Sequence, residues 1–203
     1  MSSDGFLVVA GKDAVTNEVL VKKYTDDRDI VFHADIVGAP FVVVKRGERE
    51  IGEECLREAG EFAAAFSRGW REGFASVDVY CVKPEQLSKG GLSGESVGRG
   101  AFVVRGERNW MRGVQLRMAI GVAFDEGTGV ARIVGGPVES VKAKTTAYVV
   151  IVPGDLSGKG LFKRVLRSLA EKVSKELREA ILNLSVESVR EFIPFGKGTV
   201  LKD

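Results

Sequence analysis

The apolar residues of this chain come in short runs, and that spacing limits what it can fold into. GFLVVAG (5–11), DIVFHAD (29–35), FVVVK (41–45), FASVDVYCV (74–82), AFVVRG (101–106), VQLRMAIGVAFD (114–125), GVARIVGG (129–136) and TTAYVVIVPG (145–154) are rich in β-branched and aromatic residues and flanked by turn-formers. Runs of this kind read as strands. None approaches the roughly 20 residues a membrane-spanning helix needs. Between them the period changes to that of helices. Ala14, Val15, Leu20, Val21 and Tyr24 share one stripe behind Asp13, a natural N-cap. Leu56, Ala59, Phe62, Ala63 and Phe66 share another in 53–70. Phe162, Val165, Leu166, Leu169, Val173 and Leu177 form the apolar face of the longest predicted helix, 162–182, and VESVREF (186–192) reads as a short one. Strands interleaved irregularly with helices predict an α+β fold, with mixed, largely antiparallel sheets packed against three to four helices.

The texture changes after ERNWMRG (107–113), a stretch to which the pattern assigns no strand or helix. The expected organisation is therefore 1–113 and an α+β extension, 114–203, of three strands around the turn EGTG and the long helix. No Pro/Ser-rich linker separates them, so the two parts are equally compatible with one packed unit.

Charge and cysteine content narrow the function classes. With 30 basic and 28 acidic residues the net charge is +2, too little for a dedicated basic coat, which leaves local patches as the place for any anionic partner. Cys55, Cys81 and one histidine do not complete an ordinary four-ligand zinc site, so both cysteines are read as reduced thiols and no cofactor is expected. The N-terminal MSSDGFLVVAGKD lacks the basic start and long apolar stretch of a signal peptide, and the expected setting is the cytoplasm, with no membrane partner.

Several stretches carry candidate chemistry. PGDLSGKG (153–160) sits between a strand and a helix, as a phosphate-binding P-loop would, but Pro153 and Gly160 break the pattern, and no hydroxyl follows Lys159. His33 and Asp35 lie two apart at the end of a strand and project to one face. A packed histidine, a ligand contact and acid/base catalysis are all open to that pair. Lys12 and Asp13 join a strand to the first turn of a helix, where backbone amides can meet an anion. SKGGLSGESVGRG (88–100) puts Ser88 and Lys89 in a glycine-rich loop, and VRGERNW (104–110) follows with Arg105, Arg108, Asn109 and Trp110. Cations for phosphates, amides and hydroxyls for hydrogen bonds and an aromatic for stacking suit RNA better than duplex DNA. The first half of the long helix is basic, with Lys159, Lys163, Arg164 and Arg167. A solvated face and an extension of a nucleic-acid patch both account for it.

Read in order, GKDAVTNEVLVKKY, DIVFHADIVGAP, EAGEFAAAFSRGW, VDVYCVKPEQLSKGGLSGE and GAFVVRGERNW resemble the NFACT-R domain over about residues 5–112. That domain lies toward the C-terminal end of the NEMF-like and Caliban-like quality-control proteins that bind stalled large ribosomal subunits. It also occurs as a stand-alone protein, which is the expectation here. The matching positions are Gly11, Lys12, Asp13 and Asn17; His33, Asp35, Gly38 and Pro40; Ser67 and Trp70; Gln86, Ser88, Lys89, Gly94 and Glu95; and Arg105, Gly106 and Asn109. Lys12 stands where the family usually has Arg, and Glu107-Arg108-Asn109 stands for Lys-Lys-Asn, so a positive charge is lost from that turn. The tail, with GGPVESV, YVVIVPG and FGKG, looks like the region following this domain in archaeal-type full-length members.

The resemblance implies a non-enzymatic RNA-binding module recognising tRNA or large-subunit rRNA in translation or ribosome quality control, with no DNA specificity. A ribosome-associated protein is a further expected partner. Lys12, Asp13, Asn17, His33, Asp35, Ser88, Lys89, Arg105, Arg108 and Asn109 are the expected RNA-binding residues. The competing readings are a protein-interaction or assembly factor in the same pathway, and an RNA-processing or tRNA-modification enzyme using His33 and Asp35.

Overall fold

The computed structural model describes residues 1–90, 97–125, 127, 128 and 130–201. Gly94 and Glu95, and Glu126 and Gly129 of the EGTG turn, lie outside the described residues. The chain divides into two compact units, Met1–Arg68 with Ser76–Gln115, and Gly69–Ala75 with Leu116–Asp203.

The first unit opens with β1 (Leu7–Ala10), α1 (Ala14–Lys23), β2 (Ile30–Ala34), β3 (Val42–Lys45) and α2 (Glu53–Ala65). The 53–70 stripe then breaks. Phe66 ends α2, and a separate short helix, α3 (Arg68–Glu72), carries Trp70 into the second unit. β4 (Ser76–Val82), the two-residue strands β5 (Leu87–Ser88) and β6 (Val103–Val104), and β7 (Asn109–Gln115) complete the first unit. β7 is a strand the sequence pattern did not assign: its residues pair with β4, and Leu116 and Arg117 separate it from the next strand. Sequence pattern hid this strand because Asn109, Arg112, Gly113 and Gln115 are exposed along a sheet edge.

The five strands run in the order β1-β3-β2-β4-β7, every neighbouring pair antiparallel. Side chains alternate across the sheet. Phe32, Ala34, Val42, Val44 and Val79 are buried on the face that α2 covers. α2 lies close because its buried positions are small, Cys55, Ala59, Gly60, Ala63 and Ala64; a Cβ on Gly60 would meet Met111 Sδ at 2.7 Å. Leu56, Phe62 and Phe66 of the predicted stripe are only half-buried. Glu58 takes a buried place instead, accepting from the Ser3 N–H at 2.8 Å.

On the other face Leu20, Val31, Phe41, Val43, Tyr80 and Val82 pack together, with Leu87, Phe102, Val104 and Trp110 against them. α1 covers part of this face. Asp13 is its N-cap, as its sequence position implies: Thr16 N–H donates to Asp13 Oδ1 at 2.8 Å, and the Thr16 hydroxyl accepts from Asp13 N–H at 2.9 Å. Its buried residues are Asn17 and Leu20, while Val15 and Tyr24 stand in solvent. The polar Asn17 is turned inward because its Oδ1 accepts from the buried Phe41 N–H at 3.1 Å.

The second unit holds β8 (Met118–Phe124), β9 (Ala131–Gly136), α4 (Val138–Lys142), β10 (Ala147–Ser157), α5 (Gly158–Glu171), α6 (Lys175–Leu182), α7 (Glu187–Arg190) and β11 (Lys197–Val200). Its sheet, β11-β10-β8-β9, is again antiparallel. The predicted 162–182 helix starts earlier and is two helices: Val173 turns inward and Ser174, extended, restarts the chain as α6. Leu161, Phe162, Val165, Leu166 and Leu169 bury the apolar side of α5. Trp70 is fully buried in this unit, its indole N–H donating to the Lys197 carbonyl at 2.8 Å. Together the units bear out the α+β expectation, with all pairings among the described residues antiparallel, with α7 inside the predicted 186–192 helix, and with short helices α3 and α4 beyond the predicted ones. Among the described residues no helix is long and apolar enough to cross a membrane.

Candidate nucleic-acid interface

Register builds an aromatic row across the first sheet. His33 on β2 pairs with Tyr80 on β4, which pairs with Trp110 on β7, and Phe41 lies just before β3 beside His33. The ring centroids are 4.6 Å apart for Phe41–His33, 5.8 Å for His33–Tyr80 and 5.4 Å for Tyr80–Trp110. Phe102 meets Phe41 edge-on at 5.4 Å. The row passes from the core to the surface: Phe41 and Tyr80 are buried, while His33 and Trp110 are half-exposed.

Cations cap it. The Arg112 guanidinium lies 4.0 Å from the Trp110 ring centre, and that of Arg108 lies 4.7 Å from Tyr80 and 5.7 Å from Trp110. Lys89 Nζ lies 4.7 Å from Phe102. Cations over ring faces are attracted by the ring quadrupole, and a guanidinium plane so held offers its outer face for stacking. Arg112 also pairs with Asp78 at 2.6 Å, and Gly113 N–H donates to the same carboxylate at 2.8 Å. The Gly113 amide first, then Arg112, hold that carboxyl below its ordinary range.

Burial pushes the His33 imidazole below its ordinary value; the backbones of Ala34 and Ala39 and the charge of Asp35 pull the other way without outweighing it. Its Nδ1 is shut from solvent and lacks a well-formed hydrogen bond among the described residues. At neutral pH His33 is thus an uncharged ring wedged between Phe41 and Tyr80. Asp35 follows at the end of β2, its N–H donating to the Asp78 carbonyl at 2.8 Å, and its side chain is exposed.

The structure brings His33, Asp35 and Arg108 together at this row, with Asn109 exposed at the start of β7. The other expected residues are placed differently. Asn17 is buried and serves Phe41. Asp13 is engaged in its cap, so its carboxylate fills the place an anion would take, and Lys12 is exposed beside it. Lys89 Nζ pairs with Glu18 at 2.9 Å and donates to the Gly98 carbonyl, tying the glycine-rich loop to α1. Gly100, at φ +77°, allows that approach, since a Cβ there would meet Ala14 Cα at 2.5 Å. Ser88 donates to the Gly90 carbonyl at 3.1 Å, and Arg105 reaches the same carbonyl at 3.3 Å.

Sequence reasoning missed Phe41, Tyr80, Phe102 and Arg112. The signal for Tyr80 and Arg112 is period 2: each occupies the His33-facing side of its strand, visible once β7 is recognised. In the second unit, Lys159, Lys163, Arg164 and Arg167 stand exposed on α5. Among the described residues no group of three or more His, Cys, Asp or Glu is placed to hold a metal.

The family described as "NFACT protein RNA binding domain" matches residues 1–106. The archaeal Rqc2 homolog aRqcH of Methanocaldococcus jannaschii is 42% identical over 201 residues, covering 98% of this chain and 28% of that protein. The ribosome quality control complex subunit NEMF homolog of Drosophila melanogaster is 36% identical over 126 residues, covering 61% of this chain and 12% of that protein. The chain therefore spans less than a third of the length of these relatives. A solved structure of the C-terminal part of the fibronectin/fibrinogen-binding protein from Streptococcus suis superposes with a TM-score of 0.47 at 23% identity, covering 57% of this chain and 43% of that one.

Proposed function

The chain belongs to the family of NFACT protein RNA binding domains, and from that premise we propose that it binds unpaired RNA on the aromatic row of its first unit, as a non-enzymatic module in ribosome quality control. The observation that carries this reading is the run of rings from Phe41 to Trp110 ending under two surface guanidiniums. Bases stack on aromatic rings and on arginine planes, and phosphates meet the same cations. The residues assigned to contact are Trp110, Arg108 and Arg112 first, then His33, Asp35 and Asn109. Lys12, Ser88, Lys89 and Arg105 flank the surface, and Asp13 and Asn17 hold its shape. The binding role is assigned to residues 1–113, with 114–203 as an extension. The setting in ribosome quality control is supported by the names of the archaeal and fly relatives.

The RNA proposed is tRNA or large-subunit rRNA. Crosslinking in cells followed by sequencing tests it, with wild type beside Arg108→Ala/Arg112→Ala. Enrichment of either RNA class, lost in the variant, is the expected result. In vitro the log–log salt slope should fall by about 0.7 for each single-strand phosphate contact removed. Enrichment that persists in the variant overturns the assignment of the surface. No enrichment of RNA, with a protein partner recovered that survives nuclease, replaces the reading with that of an assembly factor.

A further inference from the structure

We propose that Asp35 makes this surface read guanine, its carboxylate accepting both donors of an unpaired guanine stacked on the Arg108 guanidinium that lies over Tyr80 and Trp110. The inference rests on the RNA-binding reading and adds the base it selects.

Several acidic residues of the first unit are held by partners within it. Asp78 holds Arg112 and the Gly113 amide, Asp29 holds Lys45, Asp13 caps α1 and Glu18 pairs with Lys22 and Lys89. Asp35 differs: it is exposed, and no ion pair or hydrogen bond holds its carboxylate among the described residues. Its backbone continues the β2–β4 ladder one step past Ala34, which keeps it beside the aromatic row. Two residues past His33 along that ladder, it falls on the face of the sheet that carries His33 and Tyr80. Arg108 is the matching case among the cations. It is exposed, it is held over Tyr80 and Trp110 by its plane, and it makes no ion pair among the described residues. Asp35 and Arg108 thus present an exposed carboxylate and an exposed cation, neither in an ion pair among the described residues, on the aromatic face of the sheet.

That pairing has a chemical complement. An ionised carboxylate only accepts hydrogen bonds, through two oxygens side by side. Among the four RNA bases only guanine offers two adjacent donors on its Watson–Crick edge, N1–H and the N2 amino group. Adenine and cytosine set a ring-nitrogen acceptor next to their amino group, and uracil flanks its single N–H with two carbonyls, so each turns a lone pair toward a carboxylate oxygen. Such edges are open only in unpaired RNA, the kind that protein side chains read by stacking and edge contacts. The Arg108 charge offsets the repulsion between the Asp35 carboxylate and the backbone phosphates.

The test uses the full chain and fluorescent oligouridylates carrying one central guanosine, inosine or adenosine, at low salt. A good bidentate contact discriminates roughly ten- to a hundredfold. The guanosine oligomer should bind tighter than the adenosine one by about that factor, with inosine, which lacks the N2 amino group, between them. Asp35→Asn should bring the ratio of guanosine to adenosine affinity, measured within that variant, close to one. Equal affinity for guanosine and adenosine overturns the inference and leaves RNA binding standing, as does a guanosine preference that survives in Asp35→Asn. Failure of wild type to bind any of the oligomers overturns the RNA-binding reading itself, and the inference with it.

Discussion

Asn17→Ala is expected to loosen the aromatic row from beneath. Phe41 is held through its backbone on both sides: Asn17 Oδ1 accepts from its N–H at 3.1 Å, and its carbonyl accepts from the Gly11 N–H at 3.1 Å. Truncating Asn17 leaves the Phe41 N–H buried without a partner, which costs about 1–3 kcal/mol. The vacated amide adds a small void worth about 1 kcal/mol. Alanine's better helix propensity returns roughly 0.5 kcal/mol. The net loss is about 1.5–3.5 kcal/mol. With a urea dependence of about 1–2 kcal/mol/M for a unit of this size, the urea midpoint of the first unit should fall by roughly 1–3 M. Gly11→Ala provides the cross-check. Its new Cβ would sit 2.1 Å from Asn17 Oδ1 and 2.7 Å from Asn17 N, so it should destabilise by about 1–3 kcal/mol alone. In the double variant the nearest clashing atom is gone, so the two losses should sum to less than their separate values by about 0.5–2 kcal/mol. A midpoint unchanged by Asn17→Ala, or strict additivity with Gly11→Ala, refutes the view that this amide fixes Phe41.

Four shorter expectations follow. Of the two tryptophans, Trp110 is at the proposed surface and Trp70 is buried in the second unit, so RNA should quench wild-type emission and leave Trp110→Phe emission unchanged. Glu18 is held down to about 2, by Lys22 first and then Lys89. The stabilisation it gives is full above its ordinary 4.5 and is lost as pH falls toward 2, and Lys89→Met should raise its titration midpoint, read by carboxyl NMR. His33 is depressed by burial, so the unfolded chain takes up the proton first; stability of the first unit should decline as pH drops below about 6.5, and His33→Gln should flatten that slope in urea melts at several pH values. Trp70→Phe removes the donor to the Lys197 carbonyl and part of a fully buried ring, and should lower the urea midpoint of the second unit by an amount equivalent to roughly 1–3 kcal/mol.

Much of this was legible in the chain, for reasons that particular residues make plain. The strands around Val31, Val43 and Val149 announce themselves because each is buried within a dense apolar run. Asp13 reads as a cap because a short acceptor before a helical stripe has one natural use. β7 was hidden because an edge strand keeps polar residues on its open side. The break at Ser174 is hidden because Val173 continues the apolar stripe from Leu169 to Leu177, so the period gives no sign that the chain restarts there. At the candidate site, His33, Asp35, Arg108 and Asn109 were found by residue type. The rings that join them were not, because Phe41 and Tyr80 look like ordinary core until strand pairing sets them side by side. Asn17 and Lys89 show the converse. Their polar character suggests ligand contact, but their partners lie within the protein.

The lone histidine illustrates how register, rather than residue chemistry, confers the role. His33 faces Tyr80 and Phe41 because β2 pairs residue 33 with residue 80. β7 likewise pairs Trp110 with Tyr80 across a β4–β7 ladder that shifts between Val77 and Val79. A slip of one residue in β7 would bring Met111 to the aromatic face and send Trp110 toward α2, where Met111 now fills the space over Gly60. The same slip would carry Arg112 to the opposite face and dissolve its pairing with Asp78. The tight fit of Met111 against Gly60 on one side therefore fixes the position of Trp110 and Arg112 on the other. Packing on the α2 face of the sheet is what keeps the rings and guanidiniums of the other face in one row.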